Sequence, residues 1–400
     1  MLRGKTIVIG ITGGIAAYKS AELVSALRKK GAEIICIMTA AACEFITPLT
    51  LSTLSGNPVY KEMFAERAVP EVEHIALADR AELFIIAPAT ANIIGKIASG
   101  IADDLLTASV MATTAPVLIA PAMNVHMYKN PTVQDNIRRM QANGYCIVEP
   151  EEGFLACGYE GKGRLAGIDK IIDQAEILLN KEKPLKGKKV LVTAGPTCEP
   201  IDPVRYITNH SSGKMGYALA KWAFLLGAET TLISGPTSER ILDGIELIKI
   251  NTALEMKDNV FKYFEQSDII IKAAAVADYR PKHVQGDKIK KKPGDLLLEL
   301  ERNPDILAEL GKVKGRRVLV GFAAETRDVL PNAQEKIIKK NLDFIVANDL
   351  TVPGAGFGTD TNIVTLLFAD GKIKDFPLLS KEQAAKEILL EALAIYTNRK

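Results

Sequence analysis

Short, continuous apolar runs alternate with segments of helical periodicity along the 400-residue chain, and this alternation constrains the fold more than any other feature. Runs that are apolar on both faces are typical of parallel strands covered by helices. In the first half the runs are KTIVIGI (5–11), EIICIM (33–38), ELFIIAP (82–88) and APVLIAP (115–121). In the second half they are KKVLVTAG (188–195), ETTLISG (229–235), SDIIIKAAA (267–275), RRVLVGFAAE (316–325) and DFIVAND (343–349). The pattern predicts an α/β chain with two open, mainly parallel sheets, and helices over 16–30, 90–98, 104–113, 132–142 and 213–226.

A polar, basic segment separates the two halves. Residues 181–189 read KEKPLKGKK and contain the breakers Pro184 and Gly187, so we predict a linker there between domains at 1–180 and 190–400. The first half has 16 basic and 19 acidic residues (net −3), and residues 181–400 have 34 and 29 (net +5), which sum to the chain's +2. A positive second half suits an anionic ligand, although a solvated surface explains most of these lysines equally well.

Composition argues against several classes of protein. The near-balance of charge argues against a nucleic-acid binder, and no uncharged apolar run reaches the roughly 18 residues that a membrane-spanning helix needs. A disulfide framework or a cysteine-rich zinc site is not expected either, because no CxxC spacing joins the five cysteines, Cys36, Cys43, Cys146, Cys157 and Cys198. We therefore expect a cytoplasmic protein that binds neither nucleic acid nor membrane.

Glycine-rich turns follow the first strand of each half. The turn GITGG (10–14) opens a helix, where glycines let backbone N–H groups approach an anion, but a tight turn without a ligand explains the same residues. In the second half TAGPT (193–197) leads through a loop to SSGKMG (211–216), which places two hydroxyls and a lysine at a helix start. The second segment lacks the frame of a Walker phosphate loop but suits a phosphate or nucleotide.

Polar loops also follow several other strands. PATAN (88–92) and PAMN (121–124) do so in the first half, and ADYRP (277–281) and GFAAE (321–325) do so in the second. In open α/β sheets, ligands bind outside the carboxyl ends of the strands. Each half therefore has a candidate ligand site at that edge of its sheet.

These segments resemble two enzyme families. Five segments of the first half resemble the flavin-dependent cysteine decarboxylases: GGIAAYK (13–19), HIALAD (74–79), PATAN (88–92), PAMN (121–124) and ACGYEGKGR (156–164). Five segments of the second half resemble the phosphopantothenate–cysteine ligases: AGPTCEPIDPVRYITNHSSGKMG (194–216), AAVADYRP (274–281), KIKK (288–291), NPDI (303–306) and GFAAET (321–326). In this order they resemble the bacterial bifunctional coenzyme A biosynthesis family over nearly the whole chain. The resemblance implies a flavodoxin/Rossmann-like flavoprotein domain followed by a Rossmann-like ligase domain. Thr90 stands where that family often has serine, which keeps the hydroxyl.

For the first half the resemblance implies an FMN-dependent decarboxylase. The substrate's cysteine thiol is oxidised, CO₂ is lost to give an enethiolate, and electrons and a proton are then returned. His74 would deprotonate or orient the substrate, Asn124 would hydrogen-bond its carboxylate, and Cys157 would protonate the enethiolate. The residues implied for FMN binding are Gly13, Gly14, Thr39, Thr90, Asn92 and Met123.

Simpler roles for the three catalytic candidates stay open. A lone histidine such as His74 is more often a surface or satisfied core residue. Asn124 could serve only as the cap of a helix that begins near Val125. Cys157 lies in a glycine-flanked acidic loop rather than an apolar strand, which favours a reactive cysteine on a mobile lid.

For the second half the resemblance implies a CTP-dependent ligase. The carboxylate of 4′-phosphopantothenate would attack the α-phosphate of CTP to give an acyl-cytidylate, and the amine of cysteine would then displace CMP. Asn209 would handle the acyl-cytidylate, Lys288 would lie over the phosphates, and Asp278 would contact the nucleotide or Mg²⁺. The other residues implied for CTP are Ala273, Ala274, Ala275, Asn303, Pro304, Asp305, Ile306, Phe322, Lys336 and Lys340. A solvated helix face explains Lys336 and Lys340 as well, and a flexible basic loop explains Lys288.

Two other readings remain for comparison: a flavin prenyltransferase-like first half, and a flavin-binding regulatory subunit without activity. PAMN and ACG argue against the first, and retention of both His74 and Cys157 argues against the second. No base-reading pattern distinguishes CTP from ATP. The resemblance also implies a homo-oligomer of trimeric decarboxylase units and dimeric ligase units, up to a dodecamer.

Overall fold

The chain folds as two α/β units, residues 1–181 and 182–400, each built around a mainly parallel sheet. The computed structural model describes residues 2–64, 72–154, 160–291, 295–325, 329–349 and 359–399. None of the helices in this described part combines the length and apolar character that crossing a bilayer demands. The α/β fold class expected from the alternation of apolar runs and helices is confirmed.

The first unit has eight strands and nine helices among its described residues. The strands are β1 (Thr6–Ile11), β2 (Glu33–Met38), β3 (Val59–Tyr60), β4 (Leu83–Ala89), β5 (Val117–Pro121), β6 (Cys146–Ile147), β7 (Glu151–Phe154) and β8 (Glu160–Arg164). The helices are α1 (Lys19–Lys29), α2 (Ala40–Cys43), α3 (Pro48–Ser55), α4 (Glu73–Arg80), α5 (Ala91–Ala98), α6 (Leu105–Ala112), α7 (Val125–Lys129), α8 (Pro131–Ala142) and α9 (Ile168–Leu179). A short 3₁₀ helix, Ile15–Tyr18, precedes α1.

Six of these strands form one parallel sheet in the order β3-β2-β1-β4-β5-β6, and β7 and β8 form a separate antiparallel hairpin. This is the Rossmann strand order, not the flavodoxin order. The direction in which successive strands are added to the sheet changes between β1 and β4, although all the strands are parallel. Both faces of the sheet are covered, since alternate residues of β1 pack into two different cores with Ile9 in one and Val8 in the other. Burial on both faces explains why these strands are continuously apolar.

The second unit repeats the same plan. Its strands are β9 (Lys189–Ala194), β10 (Cys198–Pro200), β11 (Tyr206–Thr208), β12 (Glu229–Ser234), β13 (Glu246–Lys249), β14 (Ile269–Lys272), β15 (Tyr279–Pro281), β16 (Leu300–Arg302), β17 (Val318–Glu325), β18 (Phe344–Asp349), β19 (Thr361–Asn362), β20 (Val364–Phe368), β21 (Ile373–Asp375) and β22 (Leu379–Ser380). Its helices are α10 (Lys214–Leu225), α11 (Ala253–Phe264), α12 (Ile306–Lys312), α13 (Val329–Lys339) and α14 (Lys381–Asn398). The main sheet runs β13-β12-β9-β14-β17-β18-β20-β21, and only its last two pairings are antiparallel. Here the direction in which strands are added changes between β9 and β14, as it does between β1 and β4 in the first unit.

The segment expected to be a linker is structured. Leu185 is fully buried, and its N–H donates to the carbonyl oxygen of Leu226 at 2.9 Å. The strand β9 begins at Lys189, the last residue of that segment. Residues 182–189 therefore pack onto the second unit.

Candidate functional site

Two loops meet where the sheet of the first unit reverses direction. The hydroxyl of Thr12, just after β1, donates to the carbonyl oxygen of Pro88 at 2.7 Å and accepts from the N–H of Thr90 at 3.1 Å. Thr90 in turn caps α5, since its hydroxyl accepts from the N–H of Ile93. These bonds fix the carboxyl ends of β1 and β4 relative to each other.

The two glycines of the first turn serve different needs. A Cβ atom on Gly13 would lie 2.4 Å from the Cβ of Ala41, so Gly13 is required for the close packing of α2 on the turn. The nearest atom to a Cβ on Gly14 is 3.6 Å away, on Thr90, which leaves space there. Thr39 caps α2 by accepting from the N–H of Ala42. The two glycines and Thr39 therefore border an open space.

That space is a cavity of about 930 Å³ at the carboxyl edge of the sheet. The predicted residues that line it are Gly13, Gly14, Thr39, Thr90, Asn92, Met123 and Asn124. His74 lies in the first turn of α4, half-buried, and is not among the described lining residues. Cys157 lies outside the described residues. The fold thus brings together the residues implied for the flavin and one of the three implied for catalysis.

Asn124 caps a helix and also lines the cavity. Its side-chain oxygen accepts from the N–H of His126 at 2.8 Å and caps α7, and the residue also lines the cavity. The N–H of neighbouring Met123 donates to the carbonyl oxygen of Gly163 on β8 at 2.9 Å. The cap and this strand contact hold Asn124 in the cavity wall.

Basic side chains that the sequence reasoning missed line the same cavity. They are Lys19, Lys61, Lys96 and Arg164, against the carboxylate of Asp104 among the described lining residues. The ammonium of Lys96 donates to Asp103 at 2.7 Å and to Asp104 at 3.3 Å, which raises the pKa of this lysine and partly offsets its charge. A cavity with these cations and the apolar side chains of Ile15, Ile93 and Met123 fits a flat aromatic ring that carries a phosphate.

The second unit brings Asn209 to the loop that follows β14. Its side-chain amide donates to the carbonyl oxygens of Ala275 at 3.3 Å and Val276 at 3.2 Å. The N–H of Ala274 donates to the hydroxyl of Thr193 at 3.2 Å, which ties the loop to the end of β9. Asn209 and residues 273–275 therefore form one group at the point where this sheet reverses direction.

A second group surrounds Asn303. Its N–H donates to the carbonyl oxygen of Asp278 at 2.8 Å, and its side chain bonds the carbonyl oxygen of Ala277 and the guanidinium of Arg280, each at 2.8 Å. The carboxylate of Asp278 is exposed. These bonds fix the backbone after β14 against the loop that leads into α12.

Two further nucleotide candidates, Asp305 and Lys340, meet at the start of α12. Asp305 caps α12 and pairs with Lys340 at 2.9 Å. The N–H of Lys340 donates to the carbonyl oxygen of Lys336, so these lysines follow each other by one helical turn, as their spacing predicts. The other candidates lie in different surroundings: Ile306 is buried in the core, Phe322 is half-buried on β17, Pro304 is half-buried and Lys288 is exposed on a loop.

Lys272, at the end of β14, is a buried lysine that the sequence did not single out. It is 7% exposed, and its ammonium lies 3.5 Å from the sulfur of Met256. Burial lowers its pKa to about 7, opposed by the charge of Asp305 and assisted by that of Lys340. In the sequence, only the position of this lysine at the end of an apolar run indicated that it would be buried.

Comparison with known proteins gives matches over both units. Residues 1–179 match the family model described as Flavoprotein, and residues 185–395 match the DNA/pantothenate metabolism flavoprotein C-terminal domain. The coenzyme A biosynthesis bifunctional protein CoaBC of Bacillus subtilis is 52% identical over 99% of this chain and 98% of its own length. The protein of the same name from Escherichia coli K12 is 44% identical over 100% and 99%. A crystal structure of the C-terminal domain of a CoaBC protein is 43% identical, covers 54% of this chain and 100% of its own, and has a TM-score of 0.48.

Proposed function

The chain belongs to the family of coenzyme A biosynthesis bifunctional proteins, and from this membership we infer that it catalyses a ligation and a decarboxylation in coenzyme A biosynthesis. The observation that carries the inference is 52% identity over 99% of the chain, together with matches to both domain families in order. We assign decarboxylation to residues 1–180 and ligation to residues 190–400. The short segment before β9 accompanies the second unit.

The ligation comes first in the proposed sequence, although its domain comes second in the chain. The carboxylate of 4′-phosphopantothenate attacks the α-phosphate of CTP and releases pyrophosphate, because a free carboxylate is a poor acyl donor. The amine of cysteine then attacks the acyl-cytidylate and CMP leaves. The product, 4′-phosphopantothenoylcysteine, loses CO₂ in the decarboxylase domain to give 4′-phosphopantetheine.

FMN is the proposed cofactor of the first unit, and the lining of its cavity supports this assignment. The threonine hydroxyls and basic side chains suit a phosphate, and the apolar side chains suit a flat ring. When bound, FMN supplies the oxidation of the substrate thiol and the return of the two electrons. Asn124 holds the substrate carboxylate in this scheme, His74 deprotonates or orients the substrate, and Cys157 returns the proton.

In the second unit Asn209 is proposed to hold the acyl-cytidylate beside residues 273–275, and Lys288 to neutralise phosphate charge. The bonds from Asn209 to Ala275 and Val276 support its place at that loop. The described residues contain no group of three or more His, Cys, Asp or Glu side chains that could hold a metal ion. Mg²⁺ at nucleotide sites commonly uses one or two carboxylates plus phosphates, so the exposed Asp278 suits it as one ligand beside CTP.

The proposal also includes a cellular location and an oligomeric state. We propose a cytoplasmic homo-oligomer, because coenzyme A biosynthesis uses small charged metabolites and the family resemblance implies trimeric and dimeric contacts. The cysteines of the described residues, Cys36, Cys43, Cys146 and Cys198, are free thiols, in keeping with a reducing compartment.

The purified protein tests both activities. We expect a yellow protein with an FMN spectrum that converts 4′-phosphopantothenate, cysteine and CTP into 4′-phosphopantetheine, CO₂, CMP and pyrophosphate. A colourless protein that FMN cannot reconstitute would contradict the decarboxylase assignment. Competition between CTP and ATP, measured as CMP and AMP released from an equimolar mixture, decides which nucleotide is preferred.

Two variants separate the active sites. Cys157→Ser is expected to stop decarboxylation while leaving pyrophosphate release and ligation intact. Asn209→Ala is expected to stop ligation while leaving decarboxylation of supplied 4′-phosphopantothenoylcysteine intact. Loss of ligation in the cysteine variant would contradict independent sites.

A further inference from the structure

The loop that carries Lys288 (residues 283–291, the Lys288 loop) is exposed over almost its whole length. It is nevertheless tied to a distant turn of the chain. The N–H of Gln285 donates to the carbonyl oxygen of Ile201 at 3.0 Å, and the N–H of Ile289 donates to the carboxylate of Asp202 at 3.1 Å. The guanidinium of Arg205 adds a bond to the carbonyl oxygen of Ile289 at 3.3 Å. Ile289, the residue next to Lys288, is thus held through both its N–H and its carbonyl oxygen.

The two carboxylate oxygens of Asp202 accept hydrogen bonds from different sets of donors. One oxygen accepts from the N–H groups of Val204 and Arg205, each at 2.8 Å, and closes the turn. The other accepts from the guanidinium of Arg205 and from the N–H of Ile289, each at 3.1 Å. The residue is only 3% exposed, so a carboxylate without these donors would be costly at this position.

These donors keep Asp202 charged. Burial by itself raises the pKa of this carboxyl, but the N–H groups of Val204, Ile289 and Arg205 and the charge of Arg205 outweigh it and lower the pKa below the ordinary value. A charged acceptor forms stronger hydrogen bonds than a neutral one. The bond to Ile289 is therefore one of the firmer attachments of an otherwise exposed loop.

We propose that Asp202 is a positioning residue for ligation: its carboxylate anchors Ile289 and thereby holds the adjacent Lys288 at the nucleotide. The proposal rests on the role assigned to Lys288 under the proposed function. The same stretch of chain continues through β11 to Asn209, so residues 201–209 set the backbone of one candidate catalytic residue and hold the loop of the other. Without the anchor, ordering the loop would cost entropy at each turnover.

Asp202→Asn tests the proposal with little change of shape. The amide oxygen can still accept from the N–H groups of Val204 and Arg205 and so keep the turn. The amide NH₂, however, is a donor and cannot accept the hydrogen bond from the N–H of Ile289. We expect hydrogen–deuterium exchange at the Ile289 amide to become at least tenfold faster. We also expect kcat for ligation to fall by about 10- to 100-fold, with decarboxylation of supplied substrate unchanged. Ile289→Pro removes the same bond from the other side and is expected to reproduce the kinetic loss if Asp202→Asn fails to fold.

Glu199→Gln is the matched control. Glu199 is a buried carboxylate three residues away, and its bond to the N–H of Ala253 at 2.9 Å leads to α11 instead of the Lys288 loop. It is expected to leave Ile289 exchange unchanged. A second control combines Asp202→Asn with Lys288→Ala, and we expect the double variant to ligate about as slowly as Lys288→Ala alone, because Asp202 acts through Lys288.

Unchanged Ile289 exchange in Asp202→Asn would overturn the proposal, and so would losses that multiply in the double variant. Full ligase activity in Lys288→Ala would overturn both the proposal and the role assigned to Lys288. A wild-type chain without ligase activity would contradict the proposed function alone, and Ile289 exchange would still decide whether Asp202 anchors the loop.

Discussion

Replacing Lys272 by methionine is expected to stabilise the second unit and to remove part of its pH dependence. Lys272→Met keeps a long side chain of similar volume beside Met256 and removes a buried charge. The folded protein holds the pKa of this lysine at about 7, against an ordinary 10.5. At about 1.4 kcal/mol per pKa unit, the cost of keeping it charged at low pH is at most about 5 kcal/mol.

The sign of the pH dependence follows from where the proton resides. Below pH 7 both the folded and the unfolded chain hold the proton, and the penalty is complete. Between about 7 and 10.5 the unfolded chain keeps a proton that the folded chain has released, so stability rises with pH. Between pH 7 and pH 9 the wild type should gain about 2 kcal/mol from this residue, and Lys272→Met should not.

The measurement uses the single tryptophan of the chain, Trp222, which is buried in α10 of the second unit. Its fluorescence during urea denaturation at pH 7 and pH 9 reports unfolding of this unit, and comparison of variant with wild type cancels most contributions of other titrating groups. Lys249→Met, which removes an exposed lysine, is the control and should track the wild type. A stability difference between Lys272→Met and wild type that is the same at both pH values would refute the reasoning.

Three further substitutions have effects that the structure defines. Thr90→Ala should destabilise the first unit by about 1 kcal/mol in thermal unfolding through loss of the α5 cap, and Thr90→Ser should restore it. Gly13→Ala should weaken FMN binding at least tenfold in a fluorescence titration, because the new Cβ would meet Ala41; wild-type affinity would count against the proposed pocket. Asp343→Asn should destabilise the second unit by about 3 kcal/mol in urea, since it leaves the buried ammonium of Lys314, 3.0 Å away, without its charged partner.

The strands that the sequence predicted are those buried on both faces. Continuous apolar runs mark β1, β2 and β4 because helices cover each side of the sheet, and the runs correspond to those strands within a residue or two. The two-residue strands β3 and β6 are too short to show any period. Their pairing depends on neighbouring strands brought close by the fold, which no local pattern records.

The site was predictable where its residues follow strands. Glycine turns and polar loops at strand ends indicated the cavity of the first unit, because parallel strands end at one edge. The basic residues that line it were not predictable, since Lys19, Lys96 and Arg164 come from two helices and a hairpin far apart in the sequence. Likewise, 87 positions separate Asp202 from Ile289, and only the folded chain joins them.

The segment before β9 acts as the cap of a helix that comes later in the chain. The ammonium of Lys183 donates to the carbonyl oxygen of Leu225 at 2.7 Å, and the N–H of Leu185 donates to that of Leu226, so the segment satisfies carbonyls at the end of α10. A separately expressed second unit that starts at residue 190 would lose both donors and the buried Leu185 side chain, worth about 2 kcal/mol by itself. Dividing the gene before residue 182 keeps this cap, so the place of the cut decides whether the isolated ligase is a fair measure of the intact one.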